Sequence, residues 1–184
     1  MRLFRSLLAV AALAACQKPA QAPRNEVAPA ADSASIKGVD RSHKGQPAPD
    51  VAFTDPDGEQ TTLADLSGRS TLVNLWATWC APCVKELPTL DRLSKGKSVQ
   101  VIAISQDSGP HASVAAFLSS KAPGLEPYQD SKMALSGKLG AEVLPTSILY
   151  DAQGREVWRF VGDLDWTRPE AAKLLAEAGE PAAR

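Results

Sequence analysis

Cys80 and Cys83, separated by Ala81 and Pro82, carry the most reactive chemistry in this 184-residue chain. Two thiols three positions apart can close a disulfide, attack one, or supply half of a four-ligand metal site. The metal reading lacks partners. The chain has no second Cys-x-x-Cys, and its only histidines, His43 and His111, lie far off in weakly patterned sequence. The redox reading asks for a particular setting. A cysteine at the first turn of a helix meets unpaired N–H groups and the positive end of the helix dipole, which favour thiolate over thiol. In that setting Cys80, the more N-terminal, is the attacking thiolate, and Cys83 resolves the mixed disulfide.

The flanking residues supply that setting. The run from Thr71 to Ala77 is apolar and β-prone and predicts a buried strand. Val84, Leu87, Leu90 and Leu93 recur at helical spacing and predict a helix from Cys80 to about Lys95. Pro88 falls inside it and removes the hydrogen bond to Val84, so a kink is expected there. On a wheel of about 100° per residue, Glu86 falls between Leu90 and Leu93, in the apolar stripe and one turn from Cys83. Lys85 and Arg92 point the other way. A carboxyl in an apolar face has a raised pKa and can exchange a proton with a thiol near neutral pH. The plainer alternative is a glutamate at the rim of the stripe reaching solvent.

Around this unit, Val51-Ala52-Phe53 and Gln60-Thr61-Thr62 predict a hairpin about the Asp55-Pro56-Asp57-Gly58 turn, followed by a helical turn from Leu63 to Leu66 closed by Gly68. Val99 to Ser105 is a second buried strand and Ala112 to Lys121 a helix. Asp130-Ser131 predicts the cap of a short helix ending at Gly140. Thr146–Tyr150 and Arg155–Val161 form strands around an Asp151–Gly154 turn. Thr167-Arg168-Pro169-Glu170 predicts a capping box opening a helix that stops at Gly179. Strands and helices in this order make an α/β sandwich on one mixed sheet.

The N-terminus reads differently. Arg2 and Arg5 precede a short apolar stretch, Leu7 to Leu13, the pattern of an export signal and too short to span a bilayer. From Gln17 to about Lys44 the chain is rich in Ala, Pro, Gln and Ser with no periodicity, and predicts a disordered tether reaching about 30 Å as a coil. The formal net charge of −1 argues against a nucleic-acid surface. Loss of the signal, with Arg2 and Arg5, makes the remainder more acidic by two charges.

Trp79-Cys80-Ala81-Pro82-Cys83 resembles the redox motif of the thioredoxin superfamily. With Asn74, Trp76-Ala77-Thr78 and Glu86, the wider run resembles its TlpA-type (TlpA/ResA/CcmG-like) branch of membrane-tethered disulfide reductases, over approximately Gly45 to Gly179. The resemblance implies a thioredoxin-like fold, a mixed central sheet flanked by helices, with the N-terminal hairpin as an extension that thioredoxin itself lacks. It makes Leu144-Pro145-Thr146 a cis-proline loop facing the disulfide, so that Trp79, Ala81, Pro82, Leu144 and Pro145 contact the substrate and Cys80, Cys83 and Glu86 do the chemistry. A glutamate at the position of Glu86 is typical of the branch. Asn74 stands where thioredoxins carry a buried aspartate, which leaves Glu86 as the available carboxylate. No cofactor or metal beyond the redox disulfide is expected.

Leu13-Ala14-Ala15-Cys16 resembles a lipoprotein box, which makes residues 1–15 a signal peptide, Cys16 the lipidated first residue, 16–44 the tether and 45–180 the thioredoxin-like domain. Gln17 after Cys16 resembles lipoproteins sent to the outer membrane. The implied activity is reduction of protein disulfides on the periplasmic side of a bacterial membrane, since Ala81-Pro82 adds no histidine of the kind strong oxidants use. A DsbD- or CcdA-like membrane donor would supply electrons. Apocytochrome c, another oxidoreductase and damaged thiols all stay open as substrates. Two rivals remain. A thiol peroxidase of the peroxiredoxin-like branch would carry Pro and Thr where Val73 and Ala77 stand. A copper metallochaperone would want a third ligand, for which His111 is the candidate.

Overall fold

A computed structural model describes residues 36–179 of the chain. The predicted signal peptide, Cys16 and the tether as far as residue 35 lie outside the described residues, as does residue 180. The elements run β1 (Phe53–Thr54), β2 (Gln60–Thr61), β3 (Thr71–Trp76), α1 (Ala81–Ser94), β4 (Gln100–Ser105), α2 (His111–Lys121), β5 (Tyr128–Gln129), α3 (Ala134–Leu139), β6 (Thr146–Tyr150), β7 (Glu156–Val161) and α4 (Pro169–Ala176).

All seven strands join one sheet in the order β2-β1-β5-β4-β3-β6-β7. β3 is central and buried throughout, parallel to β4 and antiparallel to β6. Its alternation sorts the core. Leu72 and Trp76 point into one apolar layer with Leu87 and Leu90 of α1, Val114 and Leu118 of α2, and Leu174 of α4. Val73 and Leu75 point into the other, with Phe53, Tyr128 and Leu135. Asn74 shares the face of Leu72 and Trp76, and so lies under α1. This is the thioredoxin-like α/β architecture, with the β1–β2 hairpin as its N-terminal addition.

The chain departs from its sequence pattern in three places. β5, two residues long, was not expected; it lies parallel to β4 and antiparallel to β1, and so joins the hairpin to the sheet. Residues 36–44, which composition assigned to the tether, pack on the domain. Ile36 and Val39 touch the core, Asp40 and Arg159 exchange backbone hydrogen bonds, and Arg41 pairs with Glu177. Five polar or charged residues in a row, Asp40 to Lys44, hid a strap anchored by two apolar side chains, one backbone pair and one ion pair. The capping box at Thr167 does not form either. The Thr167 hydroxyl donates to Asp165, and α4 starts from Arg168 with no side-chain cap. Asp130 does cap α3, accepting from the N–H groups of Ala134, Leu135 and Ser136. α1 runs helical through Pro88.

Candidate active site

At the end of β3 the chain turns into α1 through Ala77-Thr78-Trp79, and this turn is tied down on its far side. Gln106 N–H donates to the Trp76 carbonyl at 2.7 Å. Thr78 donates to the Asp107 carboxylate from its N–H at 3.0 Å and its hydroxyl at 2.6 Å, and Ser105 donates to the same carboxylate at 2.7 Å. Asp107 thus fixes the approach to the motif from the loop after β4, a role that no local spacing announced.

Cys80 has an extended backbone and acts as the N-cap of α1, its Sγ accepting from the Cys83 N–H at 3.3 Å. Pro82 occupies the first turn, where its missing N–H costs nothing. Cys80 and Cys83 are joined as a disulfide with Cα atoms 5.2 Å apart. Cys80 is 6% exposed and Cys83 1%, so the N-terminal sulfur is the one a partner can reach. Ala81 and Pro82 are exposed beside it, and Trp79, 65% exposed, stands over the surface next to the disulfide.

Behind the disulfide lies Glu86, 2% exposed, one helical turn after Cys83. Its Oε2 accepts from Asn74 Nδ2 at 3.2 Å. Its Oε1 accepts from the Leu164 N–H at 3.2 Å and from the Trp166 indole N–H at 2.6 Å. Asn74 spends its other amide hydrogen on Ser147 Oγ at 2.9 Å. All these donors are neutral. Burial pushes the Glu86 carboxyl up to about 7, against the lowering effect of the Trp166, Leu164 and Asn74 hydrogen bonds, and Asp163 nearby adds to the rise. The wheel placed Glu86 in the apolar stripe, and it is there. Trp166, to which no motif in the sequence pointed, is its closest partner.

Leu144-Pro145 is a cis peptide immediately before β6. Leu144, Trp79, Gln106, Met133 and Ala141 line a cavity of about 220 Å³ beside the disulfide. Met133, partly exposed and in the left-handed region with φ 53°, had no sequence signal pointing to it. The structure therefore brings Cys80, Cys83, Trp79, Ala81 and Pro82 together on one turn, sets Glu86 behind it, and adds Leu144 on the wall of the adjoining cavity.

His111 begins α2, and its Nε2 lies 2.6 Å from the Pro127 carbonyl, so the ring is already engaged. Among the described residues, no group of three or more His, Cys, Asp or Glu side chains could hold a metal ion. No helix among them is long and apolar enough to cross a membrane.

Residues 43–175 match the Redoxin family. The thiol–disulfide oxidoreductase ResA of Bacillus thuringiensis (strain Al Hakam) is 34% identical over 122 residues, covering 65% of this chain and 70% of that one. The thiol:disulfide interchange protein DsbE of Pseudomonas fluorescens biotype C is 35% identical over 145 residues, 74% of this chain and 78% of its own. Among solved structures, a DsbE-type interchange protein from Chlorobium tepidum superposes with a TM-score of 0.60 at 29% identity, covering 74% of this chain and 98% of that one.

Proposed function

The chain belongs to the Redoxin family and is a thiol–disulfide oxidoreductase of ResA/DsbE type, and on that premise we propose that it works as a membrane-tethered reductase of protein disulfides outside the cytoplasm. One observation carries the direction. The ionisable group buried behind the dithiol is a carboxylate, Glu86, and among the described residues the one hydrogen-bond donor to either sulfur is the neutral Cys83 N–H, on Cys80. The nearest basic side chain on α1, Lys85, is paired with Asp163 at 2.8 Å. A strong oxidant stabilises its reduced form by holding a thiolate. This site does the reverse.

The chemistry runs as two exchanges. The Cys80 thiolate attacks one sulfur of a substrate disulfide, forming the Cys80–substrate bond and expelling the other substrate sulfur as a thiolate. Cys83 gives its proton to Glu86 and attacks Cys80 Sγ. The mixed disulfide breaks, the second substrate sulfur leaves as a thiolate, and Cys80–Cys83 is closed. Two electrons pass from the dithiol to the substrate, whose two thiolates take one proton back from Glu86 and one from solvent. Trp79, Ala81, Pro82, Leu144 and Pro145 are the surface on which the substrate chain lies. A DsbD- or CcdA-like membrane donor restores the dithiol.

The export pattern through Leu13 and the Leu13-Ala14-Ala15-Cys16 box support a lipid anchor on Cys16 and a periplasmic location, with Gln17 favouring the outer membrane. Apocytochrome c, another oxidoreductase and damaged thiols are the candidate substrates. Equilibration against glutathione tests direction. A potential near thioredoxin's, about −270 mV, is expected, and a value above about −160 mV would overturn the reductase reading. A Cys83→Ser chain should stay covalently joined through Cys80 to its natural substrates, which then identify themselves.

A further inference from the structure

Glu86 and Trp166 are 80 positions apart, yet their 2.6 Å contact is the shortest of the three that the Glu86 carboxylate makes. The indole is held from behind. Its ring stacks on Trp158 with centroids 6.4 Å apart and planes 9° from parallel. Trp158 is itself anchored through Nε1 to the Leu174 carbonyl of α4 at 3.0 Å. Further contacts clamp the loop carrying Trp166 against α1. Thr89 Oγ1, which donates to the Glu86 backbone carbonyl at 2.8 Å, accepts from the Trp166 N–H at 3.4 Å and lies 3.4 Å from the Leu164 carbonyl.

A tryptophan used only to fill this layer would need no carboxylate; a buried indole N–H is satisfied by any backbone carbonyl. We infer that Trp166 is a positioning residue of the proton-accepting site: aimed by its stack on Trp158, its N–H fixes the Glu86 carboxylate in one orientation and favours the ionised form. This rests on the reading of Glu86 as proton acceptor. The two oxygens of Glu86 are then unequal. Oε1 takes two donors, Leu164 and Trp166, while Oε2 takes only Asn74. The proton enters at Oε2, and the Asn74 amide gives way. Asn74 Oδ1, buried without a protein partner, is the acceptor that a turned amide offers to the new O–H.

Few other charges face Glu86. α1 contributes Lys85, tied to Asp163 of the loop, and Cys83; β3 and β6 contribute only Asn74 and Ser147, which do not titrate. Asp165 in the same loop is turned to Thr167. In the oxidised chain the cysteines do not titrate, so the carboxylate can be followed alone.

The test is NMR of the full oxidised chain. In the wild type, the Trp166 indole proton should move with pH through a single inflection near that of the Glu86 carboxyl carbon, and the inflection should vanish in Glu86→Gln. In Trp166→Phe, the Glu86 carboxyl inflection should rise by about one pH unit, the equivalent of one charge-assisted hydrogen bond. A wild-type indole proton that ignores the titration overturns the inference, as does a Trp166→Phe chain whose Glu86 inflection stays in place. Separately, the pH profile of disulfide exchange should follow the carboxyl inflection in the wild type and in Trp166→Phe, and lose it in Glu86→Gln. An exchange profile unchanged in Glu86→Gln overturns the proton-acceptor reading on which the inference rests.

Discussion

Glu86 and Glu156 are buried to nearly the same depth, 2% and 3% exposed, and are compensated in opposite ways. Glu156 meets a full cation. Arg159 donates to it twice, from Nε and Nη2, each at 2.7 Å, and spends Nη1 on the Leu139 carbonyl at 2.6 Å. Glu86 meets three neutral N–H groups and no cation. A paired charge fixes structure, because removing either partner strands the other. A charge held only by dipoles stays close to its neutral form, so it can trade a proton without taking the fold apart. The same residue type thus serves as a strut in one place and, on the proposed function, as a proton store in the other, and the neighbours decide which.

Breaking the strut should give the largest effect. Arg159→Ala leaves Glu156 buried and unpaired and should cost about 3–5 kcal/mol in urea unfolding, with the redox potential unmoved. A loss below about 1 kcal/mol would mean that Glu156 finds other compensation. Next comes pH. Burial takes the Glu86 carboxyl from 4.5 to about 7, so between those values the folded chain holds a proton that the unfolded chain has released. The Glu86 contribution is therefore most favourable below about 4.5, declines as pH rises and levels off above about 7, a loss of order 3 kcal/mol. Glu86→Gln should flatten that decline in a stability–pH series; an equal slope in the variant would assign it to other groups.

Smaller is the effect on potential. The Glu86 carboxylate disfavours a thiolate nearby, so Glu86→Gln should lower the thiol pKa values and raise the potential by about 30 mV for each unit, or about 1.4 kcal/mol. An unmoved potential would show that Glu86 is not electrostatically coupled to the thiols. Smallest is the surface pair beside it. Lys85→Ala should change stability by less than about 1 kcal/mol, because both partners are largely in water. Left unpaired, Asp163 should then raise the Glu86 inflection slightly, which a carboxyl-carbon titration reads directly.

How much of this was legible depended on distance along the chain. The strand–turn–helix around Cys80 and Cys83 and the inward face of Glu86 are local periodicities, and they carried over into the structure. So did the Asp151–Gly154 turn, closed by the Gly154 N–H on the Asp151 carbonyl. The hold of Trp166 on Glu86 was not legible, since it depends on a loop folding back over α1 from beyond β7. Asp107 supports Thr78 from 29 positions away, for the same reason. β5 is too short for a period to show. The strap at 36–44 was not legible because its anchors are isolated, two apolar side chains, one backbone pair with Arg159 and one ion pair with Glu177, too few to make a period. Thr167 failed as a cap because Asp165, two residues before it, offered a better acceptor.

The strap has one more consequence. β7 is an outermost strand, and its free side is occupied by the chain's own backbone. Asp40 bridges to Arg159 and Pro47 to Arg155, and the N–H groups of Gly45 and Ala48 donate to the Glu156 and Gly154 carbonyls. The opposite border of the sheet is β2, two residues long, too short to template another strand. Among the described residues neither border of the sheet offers a ladder for strand addition, to a second copy or to a substrate. On the proposed function, an unfolded client that extends along this protein is read at the loop before β6 rather than at a border of the sheet.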